Sequence, residues 1–199
     1  MLKQYKNSTR SFFIASVCLL LAAMNQAVAA EQEYNVEVLI IEDISGRYVK
    51  SENWPAIPEE TVEMNKAGPE SKAAVNDKRV RYLAKESFRM TDEAKRIEDS
   101  KEYKILLHTA WRQVGLDKSA AFPVHITSNT DSGSYIEGDF VFVMSRYLHI
   151  SGDFTFYKTT SDGFVPYPIK FNRRMRSRET HYLDHPLIGV IVLATPIAR

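Results

Sequence analysis

The sequence predicts an α+β domain: a curved, mainly antiparallel sheet of about seven strands with one or two short helices. Three observations carry this expectation. Apolar residues alternate with polar ones at a two-residue period in several separate stretches. From Ile136 to Phe156 they keep a single parity throughout. Around residues 80–97, by contrast, they recur at the three-to-four-residue spacing of a helix.

The elements follow in chain order. Val36, Val38 and Ile40 alternate with Asn35, Glu37 and Leu39, the pattern of a strand with one face buried. Residues 45–76 contain Gly46, Pro55, Pro58, Gly68 and Pro69 with little periodicity, so a long loop is expected. Within it Trp54 either pins the loop to the core or meets a ligand. Val80, Leu83, Ala84 and Phe88 are spaced for one short helix. Met90, Ala94 and Ile97 are spaced for a second, with Thr91 and Asp92 placed to cap it. Tyr103, Ile105, Leu107, Thr109 and Trp111 alternate along a strand, and a shorter one runs from Phe122 to Thr127.

In the next stretch Ile136, Phe140, Phe142, Met144, Leu148, Ile150, Phe154 and Phe156 all fall on even positions, with Gly138, Arg146 and Gly152 interleaved. A two-residue hairpin would pair an even with an odd position and break this parity. Either the run is one long, bent strand, as in a barrel-like sheet, or it turns through an odd-numbered loop such as Ser151-Gly152-Asp153. Asp162-Gly163 signals a hairpin, after which Val165, Tyr167, Ile169, Phe171 and Met175 share an odd parity. The run Leu187 to Leu193 is apolar almost throughout and reads as a strand covered on both faces.

The N-terminus has the form of a cleaved signal peptide over residues 1–29: basic Lys3, Lys6 and Arg10, an apolar Phe12 to Ala23, and the small residues Ala27-Val28-Ala29. Residues 30–199 are then expected to form one periplasmic domain. Loss of the three N-terminal cations from 26 basic residues leaves 23 against 25 acidic ones, about −2 in net charge. That balance argues against a nucleic-acid binder. The only cysteine, Cys18, leaves with the leader, and no membrane span is expected afterwards.

The sharpest polar feature is the row Lys170, Arg174, Arg176 and Arg178 on the polar face of the strand after Asp162-Gly163. Residues two apart on a strand lie about 6.6 Å apart, so the arginines would form a linear ladder suited to repeated carboxylates or phosphates. The same row could equally be the wet face of an antiparallel sheet. Arg173, on the apolar side, calls for a buried acid or a pocket opening, with a structural ion pair the favoured reading. His181 and His185 have the spacing of a helical zinc pair, but Pro186 favours extended backbone. A turn whose imidazoles and Asp184 bond backbone groups fits better, so neither metal nor cofactor is expected. Glu137 and Asp139 are the first carboxylate pair to inspect for catalysis. The expected mature chain has no cysteine, Gly-x-Ser-x-Gly elbow or Gly-rich phosphate loop. Tyr147, His149 and Asp153 read as a solvated face.

Four blocks carry a family resemblance: Tyr103 to Gln113, Ser145 to His149, Arg173 to Ser177, and His181 to Val190 with its His-Tyr-Leu-Asp-His-Pro-Leu-Ile-Gly-Val sequence. In order and spacing, and with the first strand Tyr34 to Val38, the chain resembles the CsiV (cell-shape integrity) family. The resemblance implies a periplasmic, non-catalytic protein that binds peptidoglycan and supports wall synthesis. It also implies a partner, the outer-membrane lipoprotein activator of a bifunctional penicillin-binding protein. Stem-peptide carboxylates and pyranose faces call for arginines and exposed aromatics. The physical candidates for ligand binding are Arg174, Arg176, Arg178, Lys170, Arg146, His149 and Trp54. The alternatives are an envelope interaction scaffold using an open sheet edge or the Trp54 loop, and a wall hydrolase built on His181, His185 and Asp184.

Overall fold

In the computed structural model the described residues are 31–45, 78–128 and 133–198. The expected signal peptide and Trp54 lie outside them, as does the expected loop over residues 45–76 apart from Ser45. In chain order the elements are β1 (Glu33–Asp43), β2 (Arg81–Tyr82), α1 (Thr91–Glu98), β3 (Tyr103–Val114), β4 (Pro123–Thr127), β5 (Tyr135–Met144), β6 (Leu148–Thr160), β7 (Gly163–Met175), β8 (Thr180–Asp184) and β9 (Ile188–Pro196).

These nine strands form two antiparallel sheets, not one curved sheet of about seven. The first has the order β2-β3-β1-β9-β8, and the second is the meander β4-β5-β6-β7. The extra strands are the two-residue edge strand β2 and β8, which occupies the segment expected to be a turn. Among the described residues no helix is long and apolar enough to cross a membrane.

Parity explains the second sheet. Met144 lies opposite Leu148, so β5 and β6 are joined by the three-residue turn Ser145-Arg146-Tyr147. The odd-numbered loop is present, but it pivots on Arg146 instead of Gly152. Gly152 sits within β6, opposite Phe140 and Phe171. A Cβ there would approach Phe171 Cε1 to 2.5 Å, so the missing side chain makes room for aromatic rings. The next turn, Ser161-Asp162, has two residues and pairs Thr160 with Gly163. It flips the parity, and odd residues of β7 join even residues of β6 on the core face.

The two sheets meet across one aromatic-rich core. Trp111 of β3 contacts Phe140 of β5 edge-on at 5.4 Å, and Tyr34 of β1 meets Phe142 at 5.2 Å. Val36, Val38 and Ile40 point into this core, as expected. The other face of β1 is buried as well, because Leu39 and Ile41, with Leu193 of β9, receive Met90 and Ala94 of the helical segment. The middle of a five-stranded sheet, covered by the second sheet on one side and a helix on the other, has no wet face.

β3 serves both cores through a bulge. Ile40 pairs with Leu107 but Ile41 pairs with Ile105, leaving Leu106 as the extra residue. Leu107 and Trp111 therefore belong to the inter-sheet core, while Ile105 and Tyr103 pack under the helix. The single alternating face expected for this strand is split in two.

The helical region also differs from expectation. Residues 80–88 form β2 and a 3-10 turn, Lys85–Ser87, leaving α1 as the one α-helix among the described residues. Met90, not Thr91 or Asp92, occupies the N-cap position and provides no side-chain cap. The anchor comes from the sheet below. Glu37, 4% exposed, accepts the backbone N–H groups of Arg89 (2.8 Å) and Met90 (2.9 Å) and a bond from His108 Nε2 (2.8 Å). Burial alone would raise the Glu37 pKa, but these three hydrogen bonds and the adjacent imidazole together hold it below the ordinary carboxylate value. At the far end of β1 the buried Glu42 accepts from Lys158 Nζ (3.3 Å) and Ser134 Oγ (3.1 Å), linking the two sheets.

Candidate functional site

Two connections converge at one end of the sheets: the β5–β6 turn and residues 176–179, which carry the chain from the second sheet back to the first. The β5–β6 turn is closed by Ser145, whose N–H (3.0 Å) and Oγ (3.2 Å) both donate to the Tyr147 carbonyl. Met144 N–H donates to the Leu116 carbonyl at 2.7 Å, tying the turn to the β3–β4 connection. In the second connection Arg178 adopts φ 65°, a left-handed conformation unusual for a residue with a Cβ. Its N–H donates to Ala194 of β9 at 2.8 Å.

Between them opens a cleft of about 450 Å³ whose lining includes Tyr34, Ser145, Arg146, Tyr147, Arg176 and Glu179. Tyr147, 41% exposed, is its aromatic centre. The Arg174 guanidinium lies 4.6 Å from the Tyr147 ring centroid and that of Arg146 lies 5.8 Å away. Stacking on a ring fixes a guanidinium while leaving its N–H edge free for an anion. Arg176 is 3.7 Å from Glu179, an exposed pair that constrains it little. Burial raises the pKa of the Tyr34 hydroxyl, and the charge of Arg178 opposes that shift. The cleft therefore has an excess of fixed positive charge over its lone carboxylate, Glu179.

The expected linear ladder is not formed. β7 ends at Met175, and the chain then turns, so only Lys170 and Arg174 lie on the strand while Arg176 and Arg178 belong to the connection. Folding instead brings Arg174 onto the Tyr147 ring and Arg176 into the cleft that Arg146 lines, 28 to 30 positions away from Arg146 in sequence. Lys170 stands apart, bonded to Asp153 at 2.8 Å, with the two side chains 73% and 64% exposed. Lys170→Ala is expected to change unfolding free energy by less than about 0.5 kcal/mol in urea titrations. His149 is opposite Arg174 in the sheet but lines a separate groove. Arg173 is exposed, and among the described residues it has no ion pair. The expectation of a buried partner is overturned because β7 is an edge strand.

The residues missed by sequence reasoning are Tyr147 and Tyr34. In sequence Tyr147 reads only as part of a solvated face with His149 and Asp153.

The remaining polar candidates have other partners. His181 Nε2 accepts the Arg176 N–H at 3.0 Å, and His185 Nδ1 accepts the Leu187 N–H at 3.2 Å, so both imidazoles bond backbone as expected. Asp184 instead accepts from the Tyr182 hydroxyl. Burial, followed by that bond, pushes the Tyr182 pKa up to about 12. Glu137 accepts from Tyr157 Oη at 3.1 Å, while Asp139 pairs with His125 at 3.0 Å.

A preformed basic cleft on a β-rich domain has the chemistry of an anion-binding surface. A protein-family model described as CsiV, a peptidoglycan-binding protein, matches residues 12–197. The chain belongs to that family. Comparisons with curated proteins and with solved structures find no match.

Proposed function

We propose that this is a non-catalytic periplasmic protein that binds peptidoglycan through the Arg146–Tyr147–Arg174–Arg176 cleft and so supports or regulates wall synthesis. Export would follow from the leader-like residues 1–29. The family resemblance adds an outer-membrane lipoprotein activator of a penicillin-binding protein as the partner. The observation that carries the reading is the placement of Arg146 and Arg174 over the exposed Tyr147 ring, with Arg176 lining the same cleft, in a chain of a peptidoglycan-binding family. Stem peptides offer the matching carboxylates. A binding role is further supported because Asp153 and Glu179 pair with Lys170 and Arg176, and Asp139 bonds His125.

Co-sedimentation with purified sacculi tests this. The wild-type protein is expected to pellet, and Arg146→Ala combined with Arg176→Ala to weaken binding about tenfold. Both side chains are exposed, so the melting temperature should stay unchanged. Equal pelleting of the two proteins would remove the cleft from the mechanism.

A further inference from the structure

The outer face of the second sheet carries two kinds of polar row. In one, His125, Asp139, Asp153 and Lys170 are successive cross-strand neighbours that partner one another, His125 bonding Asp139 and Lys170 pairing with Asp153. Nearer the β5–β6 turn the rows are Val141–Ser151–Asn172 and Val143–His149–Arg174. Here the side chains of Ser151, Asn172 and His149 make no hydrogen bond or ion pair among the described residues.

Those three side chains border a groove of about 550 Å³ floored in part by Val141 and Val143. Its volume falls within the roughly 300–1,000 Å³ of small-ligand sites. Its chemistry differs from that of the arginine cleft. An amide, a hydroxyl and an imidazole supply both donors and acceptors, and no carboxylate lines the groove. Two valines offer an apolar strip for C–H faces or a methyl group. Ser145 lines both the groove and the arginine cleft, so the two are contiguous around the β5–β6 turn.

We propose that the groove is a second subsite, taking a neutral N-acetylated sugar beside the cleft that takes the carboxylates of an attached peptide. This rests on the peptidoglycan-binding reading above and specifies its ligand as the sugar–peptide junction. Hydroxyl and acetamido groups need paired donors and acceptors, and the groove provides them, with Lys118 the one Lys or Arg in its lining. Arg146 and Arg176 line the cleft that shares Ser145 with the groove.

Calorimetric titration of the purified protein with three probes tests the assignment: neutral N,N′-diacetylchitobiose, the free stem peptide, and a disaccharide carrying that peptide. The disaccharide-peptide is expected to bind at least about tenfold more tightly than the free peptide. Ser151→Ala combined with Asn172→Ala should abolish that gain while leaving free-peptide affinity unchanged, which also shows that the variant is folded. Raising salt should weaken free-peptide binding and leave the chitobiose interaction unaffected. A wild-type protein that binds peptide and disaccharide-peptide equally overturns the sugar subsite alone. Equal losses for the two ligands in the variant do the same. Failure of all three probes, together with no pelleting on sacculi, overturns the peptidoglycan reading itself.

Discussion

Gly138→Ala is expected to lower the melting temperature by about 10 °C or more, the largest effect of any single methyl group added to this chain. Gly138 lies in β5 between Ile126 of β4 and Phe154 of β6, with φ +152°. A Cβ at this position would meet the Asp153 carbonyl oxygen and come within 2.6 Å of Phe154 Cα. These are main-chain atoms of the adjacent strand, so relief requires moving β6 and breaking its register. Gly152→Ala meets only ring atoms of Phe154 and Phe171, which can rotate, and should cost less. Thermal unfolding of the two variants measures the contrast. A Gly138→Ala protein melting within about 2 °C of wild type would show that the strands yield more readily than packing allows.

Replacing Glu37 with glutamine is expected to destabilise the protein by about 2–4 kcal/mol at neutral pH. The carboxylate receives two backbone N–H groups and one imidazole N–H in a buried position, and an amide turned toward them presents a donor to donors. Because the folded pKa of Glu37 lies below its unfolded value, the unfolded chain binds more protons between the two. The stabilisation is fully present above the unfolded pKa and is lost as pH falls through the folded one. Urea titrations at several acidic pH values should show wild-type stability converging toward that of Glu37→Gln as pH falls. Parallel curves would mean that Glu37 keeps its ordinary pKa.

Much of the second sheet was legible before any coordinates, and for one reason. Parity is a counting property, and the even run from Ile136 to Phe156 excludes a two-residue hairpin, leaving one long strand or an odd-numbered turn. Its position was not legible, because Gly152 resembles a turn residue although it serves as space for Phe171. The first sheet was harder. Leu106 does not announce itself as a bulge, so the alternation of residues 103–111 reads as one face when it is two. Residues 80–88 have helical spacing, but Arg81 and Tyr82 pair with β3, where tertiary contacts override the local pattern. Nor do a periodicity and a charge count reveal that Glu37 would find His108 across the sheet. For the candidate site, arginine enrichment was visible in sequence while its geometry was not. The ladder assumed a strand running through Arg178, but β7 stops at Met175, and the gathering of Arg146 with Arg176 depends on a turn between sheets.

The three-residue turn at Ser145-Arg146-Tyr147 is also the place where this cleft can diversify. Residues inserted between Met144 and Leu148 lengthen the loop while that pair stays opposite, so every side chain of β5 and β6 keeps its own face. One residue inserted within β6, between Leu148 and Phe154, would instead turn one side of the insertion from the core toward water unless a bulge absorbed it. Related chains should therefore vary in length at the rim of the cleft and hold length constant in the strands below it.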